Sequence, residues 1–192
     1  MAHRAGLDDG VILRAAGELA DAEGLEQLTL ARLAERLSVR SPSLYKHVAG
    51  LDDVRSGLAL LGARALAERF ARAAIGKSGA EGVRSVSAAY RAFAKEHPGL
   101  YAAIQRAPAQ EDSALIAASA EIIDILRAVL APWRLDETRL IHAIRMIRSL
   151  THGFVSLEAA GGFGIPIDLE QSYDYAITIF IEGLDRNTGA TS

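Results

Sequence analysis

The chain of 192 residues contains no cysteine. That absence excludes a disulfide framework, a thiolate zinc finger and a cysteine nucleophile together. Long apolar runs are missing too. Stretches such as Leu58–Ala63 are interrupted within a few residues, short of the roughly 18–20 needed to cross a bilayer. The N-terminus turns acidic at Asp8-Asp9 before the apolar core of a secretory signal could form. No Gly-x-Ser-x-Gly elbow and no phosphate loop occur, since Ile75-Gly-Lys-Ser lacks the upstream glycine of a P-loop. His142 and His152 would lie about 15 Å apart along a helix, too far to share one ion alone. The expectation is therefore a cytoplasmic protein with no membrane role, no catalytic residue, no metal and no cofactor, and not an enzyme. Alternating strand patterns, internal repeats and low-complexity tracts are also missing.

What the chain does have is ordinary globular composition. Hydrophobic residues make up 50% and charged residues 23%, which argues for a packed core and against disorder. The formal net charge of −3 is unevenly spread. Residues 110–192 are strongly acidic, which argues against nucleic acid wrapping the whole molecule. A small basic reading head remains open, because phosphate contact is local. From Thr29 to Gly50 the bases are Arg32, Arg36, Arg40 and Lys46, with His47 beside them, and the only acid is Glu35.

The dominant period is helical. Val11, Ala15, Leu19 and Ala22 predict a first helix between Asp8-Asp9 and Gly24. Leu30, Leu33, Ala34 and Leu37 predict a second, capped by Thr29. Ser41 as cap and Pro42 as first helical residue open a short third helix through His47. A long segment follows from Asp52 to about Ala74, and Ile75–Gly82 reads as a loop between an N-terminal module and the rest. Further helices are expected from about Ala80 to before His97-Pro98-Gly99, over Leu100–Gln105, around Ile122–Leu130, from Asp136 to about Ala159, and from Leu169 to about Leu184. The class is all-α with about nine helices.

Only Ser38-Val39-Arg40 joins the second and third helices. Two short helices with so short a turn have the geometry of a helix-turn-helix, whose second helix can enter the major groove. In the third helix Leu44 and Val48 form an inward stripe. Ser41, Ser43, Tyr45, Lys46 and His47 are left to face outward, and all can donate to phosphate. Tyr45 and His47 also suit a packing role.

Residues 8–60 resemble the DNA-binding domain of tetracycline-repressor-type (TetR family) regulators. The resemblance rests on Ile12-Leu-Arg-Ala-Ala, Glu23-Gly-Leu-Glu-Gln-Leu-Thr29, Leu33-Ala-Glu-Arg-Leu37 and Val39-Arg-Ser-Pro-Ser-Leu-Tyr-Lys-His-Val48. Thr151-His152-Gly153 loosely resembles the Trp-His-Gly element of one subset. The resemblance implies that Thr29 caps the second helix and meets a phosphate. It implies that Arg40, Ser41, Pro42 and Ser43 face the major groove, and that Tyr45, Lys46 and His47 meet phosphates or neighbouring bases. Ala31 and Leu51 stand where many relatives carry basic residues, so binding would lean on Lys46 and Arg40.

One short recognition helix reads too few base pairs to select a genomic site, so a two-fold homodimer on a palindromic double-stranded operator is expected. Residues 1–50 would form the helix-turn-helix domain and residues 51–192 the helical ligand-binding and dimerisation domain. Leu140, Ile144, Ile147 and Phe154, with the run Tyr175–Ile181 (Ile179 included), suit a four-helix dimer interface or the internal core. His142, Arg145, Ser149, His152 and Ser156 share one arc of their helix. They suit the polar wall of a cavity for a small-molecule effector, or a solvated or interface face. Tyr90, His97 and Tyr101 could line the opposite side, with Arg145 or His152 meeting an anionic group. The leading expectation is a repressor released from DNA by an unidentified ligand. The alternative is an all-α ligand-binding or interaction module without DNA binding.

Overall fold

A computed structural model describes residues 7–110 and 112–189. Among these residues the secondary structure is entirely helical, with nine α-helices and two short 3-10 turns. In chain order they are α1 (Asp9–Glu23), α2 (Leu30–Arg36), α3 (Ser41–Leu44), α4 (Leu51–Ala74), α5 (Gly79–Glu96), α6 (Pro98–Ala103), α7 (Ser113–Leu130), α8 (Glu137–Ala159) and α9 (Leu169–Gly189). The 3-10 turns are Leu25–Gln27 and Ala131–Trp133. No described helix is long and apolar enough to cross a membrane.

The helix starts follow from local chemistry. Asp8 accepts from the Val11 amide at 2.8 Å, Thr29 from the Arg32 amide at 3.2 Å, and Asp136 from the Arg139 amide at 2.9 Å. Each satisfies a donor that has no partner within its own helix. Two starts differ from expectation. Arg40, not Ser41, is the residue before α3, and no side chain caps that helix. Helix α4 begins at Leu51, one residue before the expected Asp52, and Asp53 reaches back to accept from the Ala49 amide at 2.9 Å. Helix α3 is also shorter than expected. After one turn the chain continues in turn geometry, with the His47 and Val48 amides both bonded to the Leu44 carbonyl.

The structure forms two compact units. The first runs through Arg64 and takes in Glu96–Ile116; the second holds Ala65–Lys95 and the chain from Ala117 onward. The divisions fall within α4 and α7, and next to the last residue of α5. Within the first unit the buried face of α1 is Ile12, Ala15, Ala16, Leu19 and Ala20. Val11 is half-buried and Ala22 exposed, so the inward stripe is turned by about one residue from the one expected. Leu28, Leu33, Leu44, Val54 and Leu58 complete that core. In the second unit Leu140, Ile144 and Ile147 of α8 are buried with Phe70, Val83, Phe93, Leu130 and Ile177. The α8 stripe is therefore internal core rather than a free face.

Candidate nucleic-acid interface

The turn between α2 and α3 is built by two backbone hydrogen bonds. The Val39 amide donates to the Ala34 carbonyl and the Ser38 amide to the Glu35 carbonyl, each at 2.9 Å. This is the Schellman pattern of a helix end, which needs a left-handed residue one position past the cap. Glycine usually supplies it; here Ser38 does, at φ 55°. The same bonding ends α8, where the Gly162 amide meets the Leu157 carbonyl and Gly161 (φ 66°) takes the left-handed place. Ser38 thus fixes a four-residue connection, Leu37–Arg40, one residue longer than expected, that a serine would not advertise.

Beyond that turn, Leu44 is fully buried and Val48 nearly so, anchoring the segment as its apolar spacing predicts. Thr29, Arg40, Pro42, Tyr45 and Lys46 are exposed, Tyr45 at 60%, and Ser41 and Ser43 are half-buried. The bases of α2 are differently placed from the bases of the turn. Arg32 is bonded to Glu23 and to the Gln27 carbonyl, and Arg36 to Glu18 at 2.7 Å. Both acids belong to α1, nine and eighteen residues earlier, so no local pattern signals the pairing. Arg40 and Lys46 enter no ion pair among the described residues. The positive charge of the head is therefore concentrated on those two side chains, beside hydroxyls that can donate to phosphate.

His47 is half-buried, with Nδ1 3.3 Å from an Asp9 carboxylate oxygen. It borders a cavity of about 330 Å³ in the first unit, lined also by Leu13, Val48, Leu60 and the carboxylates of Asp53 and Asp112. Its ring thus lies beside α1 within the first unit.

The five side chains expected around a ligand are drawn from both units. His97 and Tyr101 belong to the first unit, and Tyr90, Arg145 and His152 to the second. Tyr90 is buried edge-on to Phe70, with ring centroids 5.6 Å apart. Arg145 and His152 are exposed with His142, Ser149 and Ser156, along one open face of α8. His97 places Nδ1 3.1 Å from the Asp21 carboxylate.

A buried polar cluster that the sequence does not reveal lies in the second unit. Arg91 of α5 makes two bonds to Glu158 of α8, at 3.0 and 2.9 Å, and another to Glu170 of α9. Its guanidinium lies over the rings of Phe154 and Tyr173, 5.4 and 5.2 Å from their centroids. Burial pushes the Glu158 carboxyl up, but bonds from Arg91 and Lys95 outweigh it and hold the group below its usual value. The Tyr173 hydroxyl is 2.8 Å from that of Thr151 and donates to the Ser87 carbonyl at 2.9 Å. Burial pushes the Tyr173 phenol up to about 12. Phe154 also packs on Phe163, with ring centroids 4.9 Å apart, and is half-buried. Tyr175 and Ile179 are exposed at 68% and 47%, as are Met146 and Leu157 of α8 at 54% and 50%. Among the described residues no three histidine or acidic side chains are placed to hold a metal ion.

Comparison with known proteins matches residues 83–180 to a family model described as the tetracyclin repressor-like C-terminal domain. The chain is 35% identical over 185 residues to the uncharacterized HTH-type transcriptional regulator YobS of Bacillus subtilis, covering 96% of each. It is 31% identical over 169 residues to the HTH-type transcriptional regulator Rv0681 of Mycobacterium tuberculosis, covering 88% of this chain and 77% of that one. Among solved structures it is similar to a TetR variant of Acinetobacter baumannii in complex with minocycline. The TM-score is 0.70 and the identity 22%, over 95% of this chain and 98% of the other.

Proposed function

The chain belongs to the TetR family of transcriptional regulators, and from that premise we propose that it is a homodimeric repressor of a palindromic operator, released by a small molecule. The observation that carries the reading is the exposed turn at residues 40–46. Its two cations are unpaired, it contains no acid, and Leu44 and Val48 pin it from beneath. Lys46 and Tyr45 meet backbone phosphates. Arg40, Pro42, Ser41 and Ser43 meet the major groove, where Arg40 can donate two bonds to one guanine. Thr29 caps α2 and presents its end to a phosphate. His47 holds the turn to α1 rather than reading DNA.

The dimer reading is supported by Met146, Leu157, Tyr175 and Ile179, large apolar side chains left exposed on α8 and α9. A second copy would cover them, and the open face with Arg145 and His152 lies on the same helix. Release by a ligand is carried over from the family, whose minocycline-bound member shares this fold. We also place the chain with the subset carrying a Trp-His-Gly element, read here at Thr151-His152-Gly153.

The test is a random-site selection with the full chain, followed by mobility shift on the recovered duplex at several salt concentrations. A palindromic site bound by two subunits, with affinity falling steeply as salt rises, is expected. No recovered sequence, or binding indifferent to salt, would overturn the reading.

A further inference from the structure

A polar joint of the first unit lies away from the reading turn, where α6 meets α1. Helix α6 starts at Pro98, and His97, the residue before it, supplies no side-chain cap. The cap comes from another helix. One carboxylate oxygen of Asp21 accepts from the amides of Gly99 (2.8 Å) and Leu100 (3.2 Å). The other oxygen lies 3.1 Å from His97 Nδ1. A carboxylate at a helix start satisfies orphan donors and meets the positive end of the peptide dipoles.

Steric fit makes the joint specific. A Cβ on Gly99 would lie 2.3 Å from the Ala20 carbonyl carbon, so the two backbones touch where only glycine fits. Leu100 packs against Gly17 of α1, and its carbonyl sits where a Cβ on Gly62 of α4 would be 2.9 Å away. Gly99, Leu100 and Tyr101 are all buried.

The placement on α1 gives the joint its meaning. Glu18 and Glu23, which hold Arg36 and Arg32 of α2, flank Asp21 in the sequence. The same last turns of α1 therefore grip the helix that carries the reading turn and the helix capped by Asp21. We propose that Asp21, with His97 and Gly99, is a positioning group for DNA reading. By fixing α6 on α1 it sets the orientation of α1, from which α2 and the reading turn hang. The inference rests on the DNA-reading assignment above, and it moves His97 from the wall of a ligand site to this joint.

The experiment compares the full-length wild type with Asp21→Ala, Asp21→Asn, His97→Ala and Gly99→Ala. Anisotropy is read on the selected duplex and on a scrambled duplex of equal length, with circular dichroism confirming the fold. A positioning role predicts that Asp21→Ala loses about tenfold in affinity for the selected duplex, the size of a lost charge-assisted hydrogen bond, while scrambled-duplex binding is unchanged. Asp21→Asn, which keeps the shape, is expected to lose less, and Gly99→Ala to fall with Asp21→Ala. A folded Asp21→Ala protein with wild-type discrimination between the two duplexes overturns the proposal, as does an equal loss on both. If Asp21→Ala does not fold, Asp21→Asn and His97→Ala carry the same comparison. Wild-type protein that binds neither duplex would instead remove the DNA-reading assignment.

Discussion

Lys46 and Arg40 differ from Arg32 and Arg36 in one respect: no carboxylate already holds them. An unpaired cation can release a counterion on meeting phosphate, whereas a paired one must first give up its acid. Lys46→Ala is thus expected to lower affinity for all duplexes and reduce the slope of log K against log salt by about 0.9 per subunit. Arg32→Ala should leave that slope nearly unchanged, and a salt titration of both variants decides it. Glu158 poses a different test. Its carboxyl is held below its ordinary value, so its contribution to stability is present above the unfolded pKa near 4.5 and lost as pH falls through the lower folded value. Glu158→Gln should cost roughly 1–3 kcal/mol at neutral pH, because a buried guanidinium loses its two-bond partner but keeps Glu170. Melting curves across pH 3–7 should show the variant losing less stability on acidification than the wild type. Parallel curves would mean that Glu158 is not the group involved.

Helices were largely legible because their causes are local. Thr29 and Asp136 mark starts that the structure keeps, whereas α6 begins at Pro98, two residues before the expected Leu100; Leu33, Ala34, Leu44 and Val48 are buried as their spacing implies. The face of α1 was misjudged by one residue because alanines on several sides blur its stripe. The left-handed Ser38 was invisible because serine carries no signal for positive φ. Pairings between elements were not legible at all. Arg91 with Glu158 spans 67 residues and Asp21 with Gly99 spans 78, and no periodicity encodes such distances. Surface roles depended on the same missing information, since Phe154 and Tyr175 look alike in sequence yet one is half-buried and the other open. At this scale the dimer assignment is testable. Placing a carboxylate on the open face, as Tyr175→Asp with Ile179→Asp, should shift the protein from dimer to monomer by light scattering without unfolding it. Retained dimers would put the interface elsewhere.

For the molecule as a whole, the first unit draws on two stretches of chain, one ending at Arg64 and one spanning Glu96–Ile116. A fragment stopping at residue 64 would leave Asp21 without its amides and expose the glycine-lined seat of Leu100. Such a fragment is expected to melt at lower temperature and less cooperatively than the same unit in the full chain, as read by circular dichroism and amide exchange. A splice at a single junction could not carry the whole of this unit into another regulator. Here the transplant would have to be a two-piece graft, with the second piece carried from beyond an intervening loan of thirty-one residues to the other unit.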